Sequence, residues 1–253
     1  MPKVIAIHSY KGGTGKSIIA TNLTTIFSEK KDSCVLDLDF RAPSLHITFH
    51  QQVGKARWIN EYLDAKCEAK EVVSDATEVA SKGNRVYVGL ANPSMTAIRE
   101  MLAKDRRWEM MALNRLNNLV DYLLNQKTEY VVIDTSPGIH YSSINAAVVA
   151  DKVLVVTTHD ESDIDGTAKM IKEMYELIER PIEIVMNRVP AQIIAENGAK
   201  EYAQKIEDRL GAKVVGVIPC SCDILATERK EILAKTKPQH EFVKHLKSIA
   251  QKI

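Results

Sequence analysis

Short apolar runs rich in β-branched residues recur along the chain: VIAIH (4–8), CVLDL (34–38), RVYVGL (85–90), YVVID (130–134), KVLVVT (152–157), IEIVMN (182–187) and KVVGVI (213–218). Their hydrophobicity is near-continuous rather than alternating, the pattern of strands covered on both faces, as in parallel sheets. Helical periodicity appears between them, at 16–27, 107–124, 142–150, 165–179, 199–210 and 241–252. This alternation predicts an α/β fold, a doubly wound, mostly parallel sheet of about seven strands with helices on both faces. The segment 51–84 is polar and weakly periodic apart from RWINEYL (57–63), and its fold stays open.

A length of 253 residues suffices for one large α/β unit, and no boundary is evident, so a single domain over 1–253 is expected. With 34 Lys and Arg against 33 Asp and Glu, the formal charge of +1 gives no global reason to expect nucleic acid or membrane as partner. Local asymmetry survives that average, because residues 224–253 carry seven basic and three acidic side chains. The apolar run near the N-terminus is too short for a signal peptide, and no segment approaches the roughly 20 apolar residues of a membrane span. A cytoplasmic location is expected. Four cysteines, two of them as Cys220-x-Cys222, do not look like a secreted disulfide framework.

Directly after the first run comes SYKGGTGKS (9–17), and then an apolar-periodic stretch with Ile18, Ile19, Leu23, Ile26 and Phe27. Strand, glycine loop, Gly-Lys-Ser and helix in that order build a phosphate site. Glycines let backbone N–H groups approach phosphate oxygens without a Cβ in the way, and the helix offers its positive N-terminal end. Gly12, Gly13 and Gly15 would form the nest, and Thr14 and Ile18 belong to the same contact set. Lys16 is placed for the β- and γ-phosphates and the Ser17 hydroxyl for Mg²⁺. The common pattern G-x-x-x-x-G-K-[ST] puts its first glycine at position 10, which is Tyr10. Farther on, YVVID ends in Asp134 after four apolar residues, a Walker B pattern whose carboxylate suits an ion that keeps its waters.

The stretch from Lys11 to Ser17, KGGTGKS, resembles the deviant Walker A motif K-G-G-x-G-K-[ST] of the MinD/ParA family of P-loop ATPases. That family dispenses with the first glycine and has a second, signature lysine. The resemblance implies a P-loop NTPase fold, ATP or ADP with Mg²⁺ as cofactors, and a homodimer in the ATP-bound state. In it Lys11 would reach across to the opposite subunit's phosphates. The logic is that of an arginine finger in trans.

Further motifs follow the family along nearly the whole chain. CVLDLDFRAPS (34–44) resembles its switch I, where Asp39 would orient the attacking water and Asp37 would support the metal's water shell. Period-2 spacing puts these two aspartates on the same side of an extended chain. Lys11, Lys16 and Asp39 are thus the expected catalytic residues, and Ser17, Asp37, Asp39 and Asp134 the expected metal surroundings. DTSPG (134–138) resembles switch II. Asn187, with Arg188 beside it, stands where the family reads the adenine edge, and Pro219 matches its I-P-x-D, although Ser221 replaces the acid.

Thr158-His159-Asp160 also departs from the family's usual proline and glutamate, and His159 receives no role. The reading is a slow, partner-stimulated ATP hydrolase that serves as a positioning or partitioning switch. A second reading, an ATPase for metallocentre or iron–sulfur assembly, rests on Cys220 and Cys222. An activating partner protein is expected. DNA or a membrane surface fits the basic tail only loosely, since packing of the last helix on the sheet explains its apolar face better.

Overall fold

The computed structural model describes residues 3–50, 57–227 and 230–253. Each of the seven apolar runs forms a strand, and an eighth joins them. The strands are β1 (Lys3–His8), β2 (Ser33–Leu38), β3 (Val73–Asp75), β4 (Val86–Gly89), β5 (Tyr130–Thr135), β6 (Lys152–Thr158), β7 (Ile182–Val189) and β8 (Lys213–Pro219). They make one sheet in the order β3-β4-β2-β5-β1-β6-β7-β8, parallel throughout except for β3 against β4.

Side chains alternate between two cores, as strand geometry demands. Val4 and Ala6 of β1 join one core, while Ile5 and Ile7 join the other. Among the helices that cover the faces are α1 (Lys16–Ser28), α2 (Arg106–Asn125), α3 (Tyr141–Val149), α4 (Glu161–Met170), α5 (Ala199–Leu210) and α6 (Glu241–Ala250). Leu119 of α2, Ala146 of α3, Ile164 of α4 and Ile206 of α5 bury on the first face. Leu23 of α1 and Leu246 of α6 bury on the second. A leucine taken fully out of water contributes about 2 kcal/mol of transfer free energy, so these stripes, rather than helix propensity, fix the layers.

The structure corrects the sequence reading at three places. The sheet has eight strands because β3, only three residues long and partly exposed, adds an antiparallel edge too short to show periodicity. The helix Met95–Leu102 was not anticipated either, and its hydroxyl cap at Ser94 accepts from the Ala97 N–H. Helix α4 begins at Glu161 rather than 165, because the Asp160 carboxylate caps it by accepting from the Asp163 N–H. It continues through a π-helical turn, Ile171–Tyr175, into Glu176–Ile178.

Helix α6 packs on the sheet through Phe242, Val243, Leu246 and Ile249, all buried. The basic residues of the tail are largely engaged as well. Lys244 pairs with Glu241, Lys247 pairs with Glu29, and Lys252 donates to the Val215 carbonyl. Among the described residues no helix is long and apolar enough to cross a membrane.

Candidate functional site

The loop between β1 and α1 lies at the C-terminal end of the central strand, whose neighbours β5 and β6 flank it on either side. This is where the winding direction of an open α/β sheet reverses and a crevice forms. Gly13 and Gly15 take φ of +78° and +98°, the left-handed region that favours glycine. A Cβ on Gly15 would also overlap the Asn187 amide. Helix α1 begins with no side-chain cap and no acidic residue in its first turn. A helix start with no such side chain over it suits an anion.

The two lysines of the loop part company. Lys16 is buried, and its Nζ donates to Ser9 Oγ at 2.9 Å. Together with Ser17 and Gly13 it lines a cavity of about 440 Å³ that also takes in Asp39, Pro137 and Arg188. Lys11 lines none of that cavity; its Nζ donates to Asp160 Oδ1 at 2.8 Å and to the Ser162 hydroxyl. The hydrogen bond from Lys11 is the largest influence holding the Asp160 carboxyl well below the usual range. Tyr10, at the missing-glycine position, lays its ring on Gly166 of α4, where a Cβ would overlap it.

Three carboxylates converge at the strand ends. Parallel register sets Asp37 of β2 directly beside Asp134 of β5. Burial, then Asp134, then Asp39 push the Asp37 carboxyl well above its ordinary range. Asp37 Oδ1 accepts the Asp39 N–H at 3.0 Å, while its buried Oδ2 has no hydrogen-bond partner among the described residues. Crowded, desolvated carboxylates of this kind fit a divalent cation that keeps its waters and takes few direct protein ligands. The described residues contain no group of three or more His, Cys, Asp or Glu placed to cage a metal ion directly. Ser17 and the carboxylates suit Mg²⁺ held partly through water.

Asp39 is nine-tenths buried, and its Oδ1 accepts from Ser136 Oγ at 2.7 Å and from the Ala42 N–H at 3.2 Å. The segment after β5 is pinned from behind as well. Gly138 takes φ of +79°, its N–H donates to the Ser9 carbonyl at 2.8 Å, and its own carbonyl accepts from Ser143 Oγ at 3.0 Å. The same carbonyl meets His8 Nε2 at 2.9 Å. Burial pushes the His8 imidazole down to about 4.

On the opposite flank, Asn187 and Pro219 border a smaller cavity of about 120 Å³ with Ile18, Cys220 and Phe242. Asn187 Nδ2 donates to the Thr14 carbonyl at 2.7 Å, so the amide braces the glycine loop. Arg188 is exposed with φ of +57°, at a break in the β7–β8 register. Thr14 is buried, and its Oγ1 has no hydrogen-bond partner among the described residues. Asp223, beyond Ser221, accepts from the Ser221 hydroxyl and pairs with His240 Nε2 at 2.6 Å. Cys220 and Cys222 are free and exposed. His159 Nδ1 meets the Tyr202 hydroxyl at 2.8 Å, a packing contact with α5.

A second cavity of about 430 Å³ lies beyond Arg41, between the segment after β5 and α2. It is lined by side chains such as Leu102, Glu109 and Tyr141 and has neither the glycine backbone nor Lys16, so it is not the phosphate site. His8, Ser9, Ser136 and Asp160 were missed by motif reading. The available signal was a polar residue ending an apolar strand in the case of His8, and one directly after Asp134-Thr135 in the case of Ser136.

Fold and site together define a P-loop nucleotide-binding protein. A family model described as "AAA domain" matches residues 2–188. The septum site-determining protein MinD of Thermotoga maritima is 24% identical over 256 residues, covering 100% of this chain and 88% of that protein. An uncharacterized ATP-binding protein of Methanocaldococcus jannaschii is 30% identical over 221 residues, covering 87% and 75%. The chain belongs to the MinD/ParA family of P-loop ATPases.

Solved structures share the fold. MinD from Pyrococcus horikoshii, complexed with Mg-ADP, superposes with a TM-score of 0.77 at 17% identity over 100% of this chain and 96% of that one. A ParA family ATPase from Chlorobium tepidum does so with a TM-score of 0.77 at 16% identity, covering both chains completely (100% and 100%).

Proposed function

We propose that this chain is a Mg²⁺-dependent ATPase that dimerises face to face when it binds ATP, separates after hydrolysis, and serves as a nucleotide-controlled switch in intracellular positioning or partitioning. The observation that carries this reading is the division of labour between two loop lysines. Lys16 lies buried beneath the glycine loop, inside the cavity, whereas Lys11 stands outside it with its ammonium half-exposed. A second cation beside a phosphate loop but outside its own crevice is suited to completing the site of an opposing subunit.

The residues divide the work as follows. The backbone of Gly12, Gly13, Thr14 and Gly15 with the start of α1 binds the phosphates, and Lys16 neutralises charge at the bond to be broken. Ser17, with Asp37, Asp39 and Asp134 near it, would hold Mg²⁺, which would supply charge neutralisation for phosphoryl transfer. Asp39, held by Ser136, orients the water that attacks the γ-phosphate. The ends of β7 and β8, with Ile18, Asn187, Arg188 and Pro219, border the adenine. The Asn187 amide, which donates to Thr14, acts on the base by fixing the loop beside it.

Turnover of the isolated chain is slow, and a partner protein that stabilises the closed dimer accelerates it. The buried apolar face of α6 and its paired lysines do not support the tail as a DNA or membrane anchor. The metallocentre reading has no comparable support, since Cys220 and Cys222 join no group of three or more metal-ligating side chains among the described residues.

The test is sedimentation and ATPase assay of wild-type and Lys11→Ala protein with ATP and Mg²⁺. Loss of the ATP-dependent dimer or of hydrolysis in the variant is expected. Unchanged behaviour of both would remove the reading.

A further inference from the structure

Two buried side chains with no place in phosphate chemistry connect the segment after β5 to helix α4. His8 is the last residue of β1, and its ring is 1% exposed. Nε2 faces the Gly138 carbonyl at 2.9 Å, and Nδ1 faces the hydroxyl of Tyr175, itself 2% exposed. A carbonyl can only accept, so Nε2 carries the hydrogen and Nδ1 accepts from the phenol. Tyr175 closes the π-helical turn of α4, and the extra residue in such a turn re-aims a side chain relative to a regular helix. Gly138 itself is in a left-handed conformation and follows Pro137, which lines the phosphate cavity.

The other end of the same helical segment holds Lys11. Asp160 caps α4 and accepts from Lys11 Nζ at 2.8 Å, with Ser162 as the second acceptor. Tyr10, next to Lys11, rests on Gly166 in the middle of the helix. One rigid element therefore touches Gly138 through His8 and Tyr175, and touches both odd residues of the glycine loop directly.

We infer that His8 and Tyr175 are positioning residues that carry displacement of Gly138 to α4, whose first turn then releases Lys11 for use in the opposite subunit. This rests on the proposed ATP-dependent dimer. It assigns a cause to the release of Lys11 from Asp160 and Ser162. A buried hydrogen-bonded pair between two rigid elements passes on movement because neither side chain has water to turn to when its partner leaves. The pair at the far end, Lys11 with Asp160, is exposed and weak enough to exchange for a phosphate.

The experiment uses the whole 253-residue chain. Tyr175→Phe removes one hydroxyl and keeps the ring in its buried place. ADP affinity should be unaltered, which shows an intact phosphate site. Amide hydrogen exchange over 161–170 should respond to ATP against ADP in the wild type and cease to respond in Tyr175→Phe. ATP-dependent dimerisation should weaken about fivefold, the scale of one hydrogen bond. Adding Asp160→Asn keeps an oxygen to cap α4 but removes the charge that holds Lys11, and should restore dimerisation. A merely structural defect would not be rescued in this way.

A nucleotide response of 161–170 that survives in Tyr175→Phe overturns the inference, as does a dimerisation defect that Asp160→Asn leaves in place. Absence of an ATP-dependent dimer in the wild type would instead count against the proposed function, and the exchange measurement would still decide the coupling.

Discussion

Asp39 and Ser136 stand 97 residues apart in sequence and share a hydrogen bond of 2.7 Å, from the serine hydroxyl to Oδ1. One follows β2 and the other follows β5, so the contact joins the two segments expected to sense the γ-phosphate. It fixes the carboxylate proposed to orient water. Ser136→Ala should lower kcat about tenfold with little change in KM, because it loosens an orienting group without touching the phosphate nest. Asp39→Ala should lower kcat about a hundredfold or more while ATP-dependent dimers persist. Steady-state kinetics and sedimentation on the same samples check both.

Asp37 is a crowded, buried carboxylate whose charge costs stability. Its carboxyl is raised by burial and by two neighbouring aspartates, and its Oδ2 has no hydrogen-bond partner among the described residues. Asp37→Asn keeps an oxygen for the Asp39 N–H and removes one of the crowded charges. Thermal unfolding without metal should show the variant more stable by about 1–2 kcal/mol, while Mg²⁺-dependent hydrolysis falls. A variant less stable than wild type without Mg²⁺ would contradict this.

The glycine loop depends on Asn187. Asn187→Ala leaves the Thr14 carbonyl without its donor, and should lower ATP affinity roughly tenfold and stability by about 1–2 kcal/mol. Gly15→Ala should be worse, since the residue needs φ of +98° and has no room for a Cβ. Calorimetric titration with ADP, alongside a melt, separates the two effects.

His8 gives the protein an acid limit. Its pKa falls from 6.5 to about 4 on folding, through burial and then the charges of Lys16 and His140, opposed by the bond to Gly138. The unfolded chain therefore binds the proton more readily between those values. Stability from this group is complete above pH 6.5, is lost as pH falls toward 4, and levels off below, by about 3 kcal/mol in all. His8→Gln should flatten that part of a stability profile measured by denaturant unfolding between pH 4 and 7.

Much of this was legible in the sequence because buried parallel strands write themselves as continuous apolar runs. Each of the seven runs is a strand within one or two residues of its expected bounds. The glycines of the loop were legible for a similar reason, since Gly13 and Gly15 take the left-handed φ that favours glycine. What could not be read were relationships between distant residues of ordinary type. Nothing in the sequence pairs Ser136 with Asp39, His8 with Tyr175, or Lys11 with Asp160; the parallel register and the turns of α4 do so. The Asn187 amide is the instructive middle case. Its position at a strand end was marked, but its bond to Thr14 follows from how closely β7 passes the loop.

The central claim is that Lys11 acts on the opposite subunit's site, and mixing two inactive variants tests it directly. Lys11→Ala subunits keep an intact site but cannot donate the lysine, and Asp39→Ala subunits can donate it but cannot hydrolyse. Random pairing makes half of the dimers mixed, with one working site each, so the equimolar mixture should recover about a quarter of the wild-type ATPase rate. A mixture no more active than its separate components, with mixed dimers shown to form, would contradict the account.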